Sequence, residues 1–156
     1  MDVLYTVETF DTLTLDDVRE MSLLWAGHWQ EAGVDPKRYA FKPSVRTYLR
    51  LLRDEKLHLV LARCEERIVG YFVGLIAHHL HAGSTLACHA DHFYLEPTAR
   101  RGLEGLRLVR FAEQSLRDRG VKVVMAGVPK RGEVWRLMKW MGWDEHEVVY
   151  AKHLGD

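Results

Sequence analysis

Cysteine is scarce in this chain: 156 residues hold only Cys64 and Cys88. A chain of this length can build its own core, so no disulfide framework is needed and both are read as reduced thiols. Proline is equally sparse, at positions 36, 43, 97 and 129. No linker, internal repeat or low-complexity stretch divides the sequence, and a single domain over 1–156 is expected. Long hydrophobic runs are missing too. The longest, Ile68 to Ala77, falls short of the roughly 20 residues that span a bilayer. The first ten residues carry acidic groups and no apolar h-region, so a cytoplasmic protein without a membrane partner is expected. Nor is there an excess of either charge, since 22 Lys+Arg balance 22 Asp+Glu. No global field draws the protein to nucleic acid, although a local basic patch stays open. What is present is ordinary for a folded domain: 47% hydrophobic and 28% charged residues exclude intrinsic disorder.

Period and punctuation outline the elements. Leu4 to Phe10 reads as a strand, and Thr14 as the N-cap of a helix running toward Gln30 with Leu15, Val18, Met21, Leu24 and Trp25 on its apolar side. Ser44 caps a second helix to Asp54. Leu57 to Ala62 and Arg67 to His79 are strands, the latter apolar on both faces in its middle and therefore central. Gly83-Ser84 is expected to turn the chain into Thr85 to Leu95, which ends at Glu96-Pro97. An amphipathic helix from Leu106 to Arg119, a strand Val121 to Val128, a helix around Val134 to Met141 and a last strand Glu147 to His153 complete the order. This is a mixed α/β layer fold with one main sheet of about six strands flanked by helices on both faces.

The strongest functional signal is the junction Tyr94-Leu95-Glu96-Pro97-Thr98-Ala99-Arg100-Arg101-Gly102-Leu103-Glu104-Gly105-Leu106. A strand ends, a loop brings two arginines and two glycines, and a helix begins at once. Unpaired N–H groups at a helix start, the helix dipole and adjacent guanidinium groups make a cradle for a diphosphate, and glycine lets that group come close. On the glycines alone, an ordinary capping loop competes with this reading.

Strand, proline, basic Gly-containing loop, amphipathic helix, strand and a short helix closing on Gly142-Trp143 together resemble the GNAT N-acetyltransferase superfamily over almost the whole chain. The family's cofactor loop, Gln/Arg-x-x-Gly-x-Gly/Ala, maps onto Arg100 to Gly105. Arg100 and Gly105 agree, whereas Leu103 stands at the first glycine and Gly102 one place early. Further on, Leu137 and Gly142-Trp143 match, while Arg131 falls at an expected asparagine and Met138 at a tyrosine that often protonates the departing thiolate. Leu80-His81, Ser84-Thr85, Asp91 to Pro97 and Tyr150-Ala151-Lys152 look like a subset common in bacteriophage genomes. The resemblance implies acetyl-CoA as acyl donor, bound by Tyr94, Leu95, Arg100, Arg101, Gly102, Leu103, Gly105, Leu106 and Arg131. It also implies direct transfer to a small-molecule or peptide amine, or a degenerate fold that binds CoA or a protein without turnover.

Around this junction His78, His79, His81, His89 and His92 crowd together with Cys88 and Asp91. No Cys-x-x-Cys or His-x-x-x-His pair is present and alternation sends His78 and His79 to opposite faces, so no metal site is expected. By the same alternation His89 and Asp91 share a face before the strand end. They suit a proton-accepting pair as well as they suit a polar pair satisfying itself, with His92 and Tyr94 as the competing set. The expected catalytic residues are Asp91, His89 and Tyr94. His28, Trp25, Trp29 and Glu31 lie at the end of the first helix, where the acceptor is roofed in such folds. Trp135, Trp140 and Trp143 are core residues or a homodimer contact.

Overall fold

The computed structural model describes residues 2–33, 35, 37–129 and 132–155. They form two compact units, Met1–Met125 and Ala126–Asp156. The larger runs β1 (Leu4–Glu8), α1 (Leu15–Glu31), α2 (Val45–Arg53), β2 (Leu57–Cys64), β3 (Arg67–His79), β4 (Ala82–Leu95), a turn of 3-10 helix at Pro97–Ala99, α3 (Glu104–Asp118) and β5 (Val121–Ala126). The sheet order is β1-β2-β3-β4-β5, with the first four strands antiparallel in succession. The smaller unit holds α4 (Glu133–Trp140), whose end at Gly142 takes the left-handed φ of 83° that glycine permits.

The sheet has five strands where about six were expected. Glu147 to His153 forms none, although Val148-Val149-Tyr150 is strand-prone. A strand exists only through a ladder partner, and this stretch has no backbone ladder with another strand among the described residues, leaving Val148, Val149 and Tyr150 exposed. The expected turn at Gly83-Ser84 also moves. His79 pairs with Ala82, so the hairpin tip is Leu80-His81, and a register slip after His78 absorbs Gly83-Ser84 inside β4.

Helix starts follow their caps. Thr14 accepts from Asp17 N (3.1 Å) while Asp17 Oδ2 accepts from Thr14 N (2.9 Å), a reciprocal capping box that opens α1. Met21 and Trp25 of α1 and Leu52 of α2 then cover one face of the sheet, packing on Leu57, Leu59, Leu61, Tyr71, Val73 and Tyr94. On α3, Leu106, Leu108, Val109, Ala112 and Leu116 are buried at helical spacing, and this helix packs on β1 to β4. Arg63 bonds Glu8 and Asp17, each at 2.8 Å, and so ties β1 and α1 to β2. No helix among the described residues is long and apolar enough to cross a membrane.

On the α3 side His58 is fully buried. Arg119 Nη1 can only donate, so Nδ1 accepts (3.3 Å). Nε2 then carries the proton it gives to Ser115 Oγ (2.8 Å), whose hydroxyl donates to Ala112 O (3.1 Å). Burial, with the Arg119 charge second, pushes the His58 pKa down to about 4 from 6.5. The unfolded chain therefore binds this proton first as pH falls. Stability is unaffected above pH 6.5 and is lost as pH drops toward 4, by about 2 kcal/mol between pH 7 and 5 for this group. Urea unfolding at those two pH values should show that loss, and His58→Gln should flatten it; an unchanged slope in the variant would exclude His58 as its source.

Candidate functional site

The site grows from an irregularity in β4. Val73 of β3 faces His92 and Gly74 faces Ala90, so Asp91 is an extra residue with no partner, a β-bulge. A bulge resets alternation. Directly opposed residues share a face, so His89 (opposite Leu75), His92 (opposite Val73) and Tyr94 (opposite Tyr71) all belong to the side covered by α1 and α2. Asp91 Oδ2 accepts from His92 Nδ1 at 2.6 Å. That bond holds the Asp91 carboxyl below the usual carboxylate range and lifts the His92 pKa above its ordinary value. It also fixes the neutral tautomer of His92, with Nδ1 protonated and the Nε2 lone pair free to take a proton.

The end of α1 supplies the opposite wall. His28 stacks on Tyr94 (centroids 4.8 Å), meets His92 edge-on (5.3 Å) and lies 2.7 Å through Nδ1 from the Tyr71 hydroxyl. Burial, then the neighbouring His92 charge, drives the His28 pKa down to about 4, so this imidazole stays neutral beside one that charges readily. Burial holds Tyr71 firmly as a phenol and pushes Tyr48 up to about 12, the Asp91 charge adding to both. Gly27 lies against this wall, where a Cβ would stand 3.4 Å from the Tyr94 hydroxyl. Tyr94 donates to Glu31 (2.8 Å), and the other Glu31 oxygen takes Arg100 Nη2 (2.6 Å). Arg100 Nε meanwhile donates to Leu95 O (2.7 Å), with the guanidinium 5.1 Å from the Tyr94 ring centre.

Past the strand end the chain reaches the start of α3. Gly102 has φ 60°, which a side chain would strain, and Leu103 forms the N-cap with its side chain exposed. Glu104 N reaches back to Arg101 O (3.4 Å) and Arg107 N bonds Leu103 O (2.9 Å). Between them Gly105 N and Leu106 N have no backbone acceptor among the described residues. The one acid of this first turn is turned away: the buried Glu104 carboxylate accepts from the Tyr5 hydroxyl (2.6 Å) and is paired with Arg107 (2.5 Å). The helix end thus keeps its positive character. Arg101 is exposed and Leu106 buried.

Of the expected site residues, Asp91, Tyr94, Leu95 and Arg100 come together at one strand end, and Arg101, Gly102, Leu103, Gly105 and Leu106 follow as a continuous loop and helix start. His89 makes no hydrogen bond to Asp91 among the described residues, and His92 takes that place. Alternation alone cannot reveal this, since a bulge is a count of two residues against one across the ladder. Arg131 lies outside the described residues. Met138 sits in α4 of the smaller unit.

The family model described as "Acetyltransferase (GNAT) family" matches residues 18–143. Among solved structures, the fold resembles an aminoglycoside acetyltransferase from an uncultured soil metagenomic sample, at 14% identity over 99% of this chain and 100% of that one, with a TM-score of 0.78. It resembles ribosomal-protein-alanine N-acetyltransferase from Brucella melitensis biovar Abortus 2308 at 18% identity, over 99% and 100% of the two chains, with a TM-score of 0.70. It also resembles a predicted acetyltransferase with acetyl-CoA from Clostridium acetobutylicum at 12% identity, over 97% and 96%, with a TM-score of 0.71. No curated protein matches the sequence significantly. Those likenesses are of fold, whereas the family model spans most of the sequence, and on that ground the chain belongs to the acetyltransferase (GNAT) family.

Proposed function

We propose that this protein transfers the acetyl group of acetyl-CoA directly to an amine, with His92 as the proton acceptor and Asp91 as its positioning residue. Acetyl-CoA is the acyl donor of GNAT acetyltransferases; it supplies a thioester carbonyl activated toward attack. The residues present fit it. Gly105 N and Leu106 N point an unspent pair of donors out of a helix start whose acid is neutralised, and Gly102 and Arg101 flank them. The observation that carries the reading is the Asp91–His92 bond at the bulge, just before the end of β4 at Leu95, which leaves Nε2 as a free base on the face walled by His28 and Tyr94.

An amine reaches such a site mostly as ammonium. His92 Nε2 takes its proton, the freed lone pair attacks, and backbone N–H groups of the strand end around Tyr94 and Leu95 stabilise the oxygen that becomes negative. A methionine such as Met138, at the position where the resemblance expects a tyrosine, has no proton to donate. Tyr94, whose phenol proton rests on Glu31, is the donor on this wall. The family model crosses both compact units, which supports one functional domain over 1–156. Leu80-His81, Ser84-Thr85, Asp91 to Pro97 and Tyr150-Ala151-Lys152 support the narrower likeness to the subset common in bacteriophage genomes.

Release of CoA thiol from acetyl-CoA against a panel of amines tests the reading. Thiol release that depends on an amine supports transfer. CoA binding with no release for any amine favours the degenerate fold, to which Leu103 at the glycine position and Met138 already lean. Gly105→Asp places a carboxylate among the free donors of α3 and should weaken CoA binding at least about tenfold by calorimetry. Undiminished affinity would remove the diphosphate cradle from this loop.

A further inference from the structure

Residues 37–53 hold Lys37, Arg38, Lys42, Arg46, Arg50 and Arg53 and no acidic side chain, in a chain whose formal charge is zero. Helix α2 gives one side to the core through Tyr48 and Leu52. Arg46, Arg50 and Arg53, at i, i+4 and i+7, share an exposed side. Arg53 leans to Asp54 (3.3 Å), but no carboxylate among the described residues lies within ion-pair reach of Lys42, Arg46 or Arg50. Phe10, 46% exposed, lies along these arginines and makes with them an open groove whose apolar lining is completed by Val45 and Leu49. The groove is therefore amphipathic and cationic.

That combination selects among anionic partners. Guanidinium forks bind carboxylates bidentately, and an aliphatic floor is covered by apolar side chains. A nucleic acid brings phosphates, but it would find only the Phe10 ring for stacking and would leave Val45 and Leu49 bare. Placement matters as well. On the core side of the same helix Tyr48 packs on Trp25 (4.8 Å) in the wall that also receives Tyr71 and Tyr94. An extended chain passing around one helix diameter covers that distance in about 4–6 residues.

We infer that this groove docks an acidic polypeptide as the acceptor, with its amine at the Asp91–His92 pair and its carboxylate and apolar side chains over Phe10, Arg46, Arg50 and Arg53. The inference rests on the transferase reading above and adds the substrate class. Short fluorescent peptides with blocked amines, one of Glu and Leu and one of Lys and Leu, are titrated with the full chain at low salt, beside a single-stranded oligouridine of equal charge. The acidic peptide should bind at least about tenfold tighter than the basic one and lose that advantage as salt rises. Arg46→Glu with Arg50→Glu should invert the preference, a gain that a misfolded variant cannot imitate. Equal binding of the two peptides, a preference that survives charge reversal, or tighter binding of the oligouridine would overturn the inference. The same peptides with free amines separate the two claims. If no amine of any kind releases CoA thiol while the blocked peptides still show the inversion, the transferase reading falls and the groove stands. If small amines release thiol while acidic and basic peptides are acetylated alike, the groove falls and the transferase stands.

Discussion

Asp91→Asn is expected to lower turnover by about 10²–10⁴-fold while CoA affinity holds, because it disables a positioned base without touching the loop that receives the diphosphate. The amide keeps the carboxylate's shape but not its charge. In the wild type that charge, through the bond to Nδ1, holds His92 above its ordinary pKa and keeps Nε2 as the lone-pair nitrogen. The base must be neutral to work, so the acid limb of kcat/KM should follow the raised His92 value. In Asp91→Asn that limb should move to lower pH while the plateau falls, a pair of changes that a purely structural role does not produce. His28 bears on the same limb: its stack on Tyr94 and edge contact with His92 keep a second, neutral imidazole against the base. His92→Gln should cost at least as much as Asp91→Asn, and the double variant little more than either, since both remove one function. Wild-type turnover with an unshifted profile in Asp91→Asn would reduce the bond to a polar pair satisfying itself on the sheet.

How far the sequence discloses this site depends on the kind of signal each residue leaves. The β4–loop–α3 junction is legible because proline ends a strand, glycine bends a loop and apolar residues recur at helical spacing. The Asp91–His92 pair is not, since alternation counts residues along one strand while a bulge is set by the pairing of two. Arg100 shows a second limit. Its place in the loop suggests an anion ligand, but its guanidinium is taken by Leu95 O and by Glu31, a residue 69 positions earlier whose approach depends on how α1 lies over Tyr94. The absent last strand shows a third: Val148-Val149-Tyr150 has strand composition, and composition cannot supply a ladder.

Gly70→Ala is expected to be among the most damaging single methyl additions in the chain. Gly70 stands opposite Leu95 in the β3–β4 register, and a Cβ there would lie 2.6 Å from Tyr94 O and 3.2 Å from Leu95 Cα. Both are backbone atoms, so no rotamer relieves the clash and the end of β4 must lift from β3. Several contacts depend on that end. Glu96 N bonds Val69 O (2.8 Å), Leu95 O holds Arg100, and Tyr94 carries the stack with His28 and the bond to Glu31. Overpacking of this kind costs about 3 kcal/mol, which corresponds to a fall in Tm of roughly 6–12 °C for a chain of this size. Gly83→Ala is the control: it also lies in a strand, β4, but there the added carbon would meet nothing within 4 Å, so the loss should be small. The Gly70 variant should also lose CoA affinity and acceptor turnover together, because the displaced strand end leads directly into the loop and α3. Thermal unfolding of Gly70→Ala within about 2 °C of wild type, a shift worth under about 1 kcal/mol, would mean that β3 and β4 do not cross as closely as their register requires.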